Sequence, residues 1–159
     1  MNKSRWWIGW AVCVGICIVA GCLSALASSL GDRGWYNSLH RPGWTPPGAV
    51  FGPVWTLLYI MMGSALWLVW QSKGRSGSPL AVSLFAVQLV LNVAWSPIFF
   101  GLHHPGWAMI DLAALWVAVL ATTLTFWTIT RPAALLLMPY LLWCSFAAAL
   151  NFAIWRLNS

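Results

Sequence analysis

The stretch that decides the fold is Trp35–Tyr59, W-Y-N-S-L-H-R-P-G-W-T-P-P-G-A-V-F-G-P-V-W-T-L-L-Y. Its first half reads as a loop. Pro42, Pro46 and Pro47, with Gly43 and Gly48, bar a regular helix and favour extended, polyproline-like backbone. The loop nevertheless carries Trp35, Tyr36 and Trp44, large apolar surfaces that a solvated connector avoids. From Val50 the chain turns continuously apolar, and Trp55 and Tyr59, four apart, share one helical face. Two readings fit: a stiff aromatic lid over a pocket, or an interfacial loop whose aromatic rings sit among lipid headgroups.

Outward from this stretch the chain is greasy throughout. Of 159 residues, 61% are hydrophobic and 6% charged, and the mean hydropathy is +0.79. A soluble domain carries about 25% charged residues, so this chain cannot cover a water-facing surface. The expected class is an all-α membrane protein. Eight Lys and Arg against two acids give a net charge of +6. They are scattered at the edges of apolar runs, where side chains snorkel to headgroups, and form no basic stripe for nucleic acid.

The apolar runs predict five transmembrane helices over about 6–30, 48–71, 79–101, 106–129 and 133–156, each meeting the ~20 residues a span needs. The proline- and aromatic-rich loop joins the first two. Ser72–Ser78 reads as a polar turn, Leu102–Pro105 as a tight connector, and Thr130-Arg131-Pro132 as a break. One membrane domain, 1–159, accounts for the chain, with no internal repeat. Lys3 and Arg5 before an apolar run ending in Ala25-Leu26-Ala27 imitate a signal peptide, and Val19-Ala20-Gly21-Cys22 a lipoprotein cleavage box. The run is longer than the roughly 7–15 residues of a signal core, so a retained first helix is expected. Lys3, Arg5, Lys73, Arg75 and Arg131 fall on one side and Arg33, Arg41 and Arg156 on the other, which favours a cytoplasmic N-terminus.

Fourteen tryptophans are present. Lipid anchoring explains Trp6, Trp7, Trp107 and Trp155 near segment ends. Trp55, Trp95, Trp116 and Trp143 lie well inside apolar runs and call for helix packing or a flat aromatic ligand. Cys13 and Cys17, with Gly21 and Ala25, form a small-residue stripe at four-residue spacing that lets helices approach closely. With Cys22 and Cys144 they make neither a disulfide framework nor a zinc site, and no metal is expected.

Polar residues at membrane depth point to function because each is unfavourable unless paired. Gln88, Asn92 and Trp95 share a face of the third span; Tyr140, Trp143, Ala147 and Asn151 share a face of the last. With Trp55 and Tyr59 they make three aromatic-plus-amide faces, the composition of an apolar pocket with a few orienting polar groups. Taken singly, each amide reads as interhelical hydrogen-bond glue worth only ~0.6 kcal/mol. Together they favour a pocket. Asp111 reads as a hydrated or paired interfacial acid, and His103 and His104 as interfacial hydrogen-bonders. No nucleophile–base pair, paired carboxylates or phosphate-cradling glycine loop is present, so acid–base or hydrolytic catalysis is not expected.

Three motifs, W-Y-x-x-L-x-x-P-x-W-x-P-P-x-x-V-F-x-x-V-W-T-x-L-Y (35–59), Q-L-x-L-N-x-x-W-S-P-x-F-F-G (88–101) and P-Y-L-x-W-x-x-F-A-x-x-L-N (139–151), resemble the TspO/MBR family. These are the tryptophan-rich sensory proteins of bacteria and the mitochondrial translocator protein, or peripheral benzodiazepine receptor. The resemblance runs from Gly21 to Arg156. It implies a five-helix bundle in a bacterial membrane that binds porphyrins, and in some members sterols or benzodiazepine-type drugs, in a cavity under the first loop. It would line that cavity with Trp35, Trp44, Trp55, Asn92, Trp95, Trp143 and Ala147, and assign Trp55 and Trp143 to light-dependent porphyrin breakdown. Its sterol motif matches Leu150 and Arg156, but Phe152 replaces a tyrosine, which counts against sterol binding there. No cofactor is required, porphyrin being the ligand. The expected partners are tetrapyrrole, lipid, sterol-like or benzodiazepine-type molecules and a second copy in a homodimer. Three functions follow: porphyrin receptor or carrier, light-dependent porphyrin-degrading enzyme, or ligand-gated stress-response interaction protein.

Overall fold

The computed structural model describes residues 3–72 and 78–159. Lys73, Arg75 and most of the polar turn lie outside the described residues. Among the described residues, five helices are long and apolar enough to cross a membrane. They are α1 (Lys3–Leu30), α3 (Gly48–Gln71), α4 (Ser78–Ser96), α5 (Pro105–Ile129) and α6 (Arg131–Leu157). In lipid each such segment must satisfy its own backbone, which is why continuous apolar runs become helices here. Ile8, Val12, Ile16, Val19, Leu23 and Leu26 of α1 recur every three or four residues and stay exposed, a face for lipid rather than protein.

Two local departures from the expected layout matter. The loop reading of Trp35 and Tyr36 is corrected by a short helix, α2 (Arg33–Ser38). Asp32 starts it: its carboxylate accepts from Gly34 N at 2.7 Å and Trp35 N at 3.2 Å, satisfying donors that a helix start leaves orphaned. Only the segment from Leu39 to Pro47 is the irregular, proline-stiffened part. The third span is also not one regular helix. After Ser96 it widens into a π turn, Pro97–Gly101. Pro97 has no N–H to continue the α pattern, and Leu102 N reaches back five residues to the Pro97 carbonyl at 2.9 Å.

The helices close a ring in the order α1, α3, α6, α5, α4 and back to α1. At the end away from the lid the ring is filled. There Gly63 of α3 rests on the α1 backbone at Cys13 and Val14; Cys13, Cys17, Met62, Ala65 and Val69 are buried; and Phe85 stacks on Phe126 at 6.0 Å. Cys13 and Cys17, half of the small-residue stripe, thus serve packing. Trp10 Nε1 donates to Ser64 Oγ at 3.0 Å, joining α1 to α3, and Trp116 Nε1 donates to Ser145 Oγ at 2.8 Å, joining α5 to α6.

At the lid end the ring stays open inside and is roofed. Trp35 stacks on His103 at 4.5 Å and meets Phe99 edge-on at 5.7 Å, while Tyr36 lies 5.4 Å from Phe100. His103, the connector residue with φ of 56°, is therefore a docking platform for the lid. A second tie is the C-terminus. Asn158 accepts from His40 N and donates to the His40 carbonyl, each at 2.9 Å. Asn158→Ala should free this tie, at ~1 kcal/mol. Faster hydrogen exchange at His40, with unchanged far-UV circular dichroism, is the expected result.

Candidate functional site

The open half of the ring holds a cavity of about 670 Å³, within the range of small-molecule sites. Its floor is a hydrogen-bonded triad. Tyr59 of α3 donates its hydroxyl to Asn92 Oδ1 of α4 at 2.6 Å, and Asn92 Nδ2 donates to the Tyr140 hydroxyl of α6 at 2.9 Å. Asn92 is 3% exposed, so at this depth it must be paired. One amide thereby joins three helices beneath the cavity.

Above the floor the walls are aromatic. Trp55 stacks on Tyr59 at 5.5 Å and stands edge-on to Tyr140 at 6.2 Å. Trp143 faces it from α6, with ring centroids 6.5 Å apart and planes at 87°, and Phe51 and Phe146 flank Trp143 at 5.8 and 5.3 Å. On α4, Trp95 stacks on Phe99 at 5.0 Å. The π turn carries Phe99 and Phe100, which both line the cavity. Ala147, one turn beyond Trp143, leaves the space that a larger side chain would fill.

The α1 wall is of a different kind: Gly21, Ser24, Ala25 and Ser28 are small. Ser24 Oγ and Ser96 Oγ lie 2.6 Å apart, and Ser28 Oγ donates to Ser96 Oγ at 3.2 Å. Sequence reasoning assigned this face no site residue. The four-residue spacing of Ser24 and Ser28, within an otherwise apolar run, was the available signal. Two cavity-lining residues also hold polar atoms without a protein partner, the Trp95 indole Nε1 and Asn151 Oδ1. Asn151 spends its Nδ2 on the Pro105 carbonyl at 2.9 Å, holding the start of α5.

Of the expected pocket residues, the structure brings Trp55, Tyr59, Asn92, Trp95, Trp143, Ala147 and Asn151 to this one cavity. Four others fall outside its lining. Trp35 is taken up by His103 and Phe99 in the roof. Trp44, 51% exposed, touches Phe146 from outside at 5.9 Å. Tyr140 is fully buried behind Trp55 as part of the floor. Gln88, one turn further from the lid than Asn92, is 1% exposed, with neither amide atom hydrogen-bonded. Asp111 is half-buried, and its Oδ2 has no protein hydrogen-bond partner. The sterol-motif residues divide: Leu150 lines the cavity, whereas Phe152 is half exposed against Trp155 at 6.2 Å and Arg156 is exposed.

The comparisons with known proteins agree with this architecture. The tryptophan-rich protein TspO of Chlorobaculum tepidum is 42% identical over 149 residues, covering 93% of this chain and 94% of that protein. The protein CrtK of Rhodobacter capsulatus is 37% identical over 142 residues, 89% of each chain. The human translocator protein is 44% identical over 126 residues, 78% of this chain and 75% of its own length. Residues 13–156 match the model of the TspO/MBR family, and the chain belongs to that family.

Proposed function

We propose that the protein is a membrane receptor or carrier for a porphyrin, a protoporphyrin-like tetrapyrrole held in the cavity under the lid. The observation that carries this reading is the cavity itself: flat indole and phenyl walls from α3, α4 and α6 around about 670 Å³. A large planar apolar ligand gains burial and ring contacts from such walls. Sterol-like and benzodiazepine-type molecules are secondary candidates of similar apolar character. The membrane is bacterial in this reading, with the N-terminus cytoplasmic and the lid on the outer side.

The test is a titration of porphyrin fluorescence in detergent. Trp143→Ala should weaken binding by more than about 1 kcal/mol, taking ~1–3 kcal/mol for stacking on an aromatic side chain as the guide. Ala147→Thr should also weaken it, by filling the space beside Trp143. Unchanged titrations for both variants would place the ligand elsewhere.

A second reading, light-driven breakdown of the porphyrin, is favoured by one observation. Trp55 and Trp143, the two indoles assigned to it, face each other across the same cavity wall. The third, ligand-gated contact with a stress-response partner, is tested by pull-down with and without porphyrin.

A further inference from the structure

Among the described residues, Arg41 is the one charged side chain in the cavity's lining, and it joins that lining at the roof. Arg41 comes from the proline-stiffened part of the lid. Its guanidinium carbon sits 5.0 Å from the centre of the Tyr36 ring, and Tyr36 lines the cavity as well. A guanidinium over an aromatic face is held in place by the ring's quadrupole while its N–H donors stay free. The chain contains only two acids, Asp32 and Asp111. Asp32 is turned to the backbone of Gly34 and Trp35, Asp111 belongs to α5, and among the described residues no ion pair engages Arg41. A positioned cation at the mouth of a cavity with no other charged side chain in its lining selects a ligand that carries an anionic group there.

We infer that Arg41 is the specificity residue of the cavity and that it recognises a carboxylate at the edge of an otherwise apolar ligand. This rests on the tetrapyrrole reading and narrows it. The flat body lies among Trp55, Trp95 and Trp143, and an acidic side arm points to the roof, where the planar guanidinium engages both carboxylate oxygens. An esterified or otherwise neutral tetrapyrrole fills the same walls without that contact. A lipid phosphate offers Arg41 similar chemistry, so the test must separate ligand from headgroup.

The experiment compares protoporphyrin IX with its dimethyl ester on the full-length protein in a non-ionic detergent free of phospholipid. The pH is one at which the propionates are ionised. The unaltered protein should bind the acid more tightly than the ester. Arg41→Gln should weaken the acid about three- to fivefold, the size expected of an ion pair at a water-exposed mouth, and leave the ester unchanged. Arg41→Lys should keep part of the preference. Added salt should weaken the acid complex of the unaltered protein and not that of Arg41→Gln. Equal losses for acid and ester would make Arg41 a lid-packing residue and overturn the inference. So would an unchanged acid affinity, which would leave Arg41 to headgroup phosphate. If the unaltered protein binds neither compound, the tetrapyrrole reading falls and takes the inference with it.

Discussion

Replacing Trp55 or Trp143 by phenylalanine should leave most of the porphyrin affinity and remove most of the light-driven loss of its Soret band, if breakdown is part of the function. Both side chains line the cavity, and each already sits in an aromatic frame, Trp55 on Tyr59 and Trp143 between Phe51 and Phe146. Phenylalanine keeps a flat ring in that frame. It lacks the indole, the most readily oxidised aromatic side chain, which yields an electron or hydrogen to a photo-excited ligand. Among the described residues no histidine or carboxylate lines the cavity, so the breakdown reading draws on light, oxygen and the indoles. The measurement is the Soret absorbance during illumination, beside a dark fluorescence titration. Equal bleaching by the Phe variants would remove indole chemistry from the mechanism. If the unaltered protein bleaches no faster than porphyrin in detergent alone, the protein is a binder and not an enzyme.

The second large effect concerns the closed half of the ring. Gly63→Ala should destabilise the bundle by ~2–3 kcal/mol and Gly63→Val by more, since overpacking a tight contact costs about 1–3 kcal/mol where neighbours can move. Here they cannot. A Cβ at Gly63 would lie 2.8 Å from Val14 N and 2.9 Å from the Cys13 carbonyl oxygen, and these are helix backbone atoms. In lipid no hydrophobic force drives α1 against α3, so their association depends on this close approach. Gly15→Ala on α1 is the control, because its Cβ would meet nothing within 4 Å. Thermal unfolding in detergent should show a clear drop for the Gly63 variants and little change for Gly15→Ala. Similar behaviour of all three would mean that the α1–α3 crossing does not limit stability. Loss of the crossing should also weaken porphyrin binding, because α1 and α3 supply two walls of the cavity.

The sequence by itself determined the class and the five spans. A backbone in hydrocarbon must satisfy its own hydrogen bonds, so an apolar run of spanning length has one outcome, and the ends of α3, α5 and α6 fall within two residues of those expected. Helical periodicity then placed Trp55 with Tyr59, Asn92 with Trp95, and Trp143 with Ala147 and Asn151, each set on a common face. Periodicity gives direction around a helix but says nothing about which depth along that face meets open space. Gln88 and Tyr140 share the faces of Asn92 and Trp143, yet one lies a turn below the cavity and the other forms its floor. That division follows from where the ring is filled and where it is open, which depends on the Gly63 crossing, a contact between helices some fifty residues apart in sequence. The lid shows the same limit. Proline and glycine made an irregular segment legible, but Trp35 is claimed by His103 and Trp44 by the outer side of Phe146. Aromatic rings in a loop bury against whatever surface the fold brings beneath them, and that surface is made of residues from distant helices.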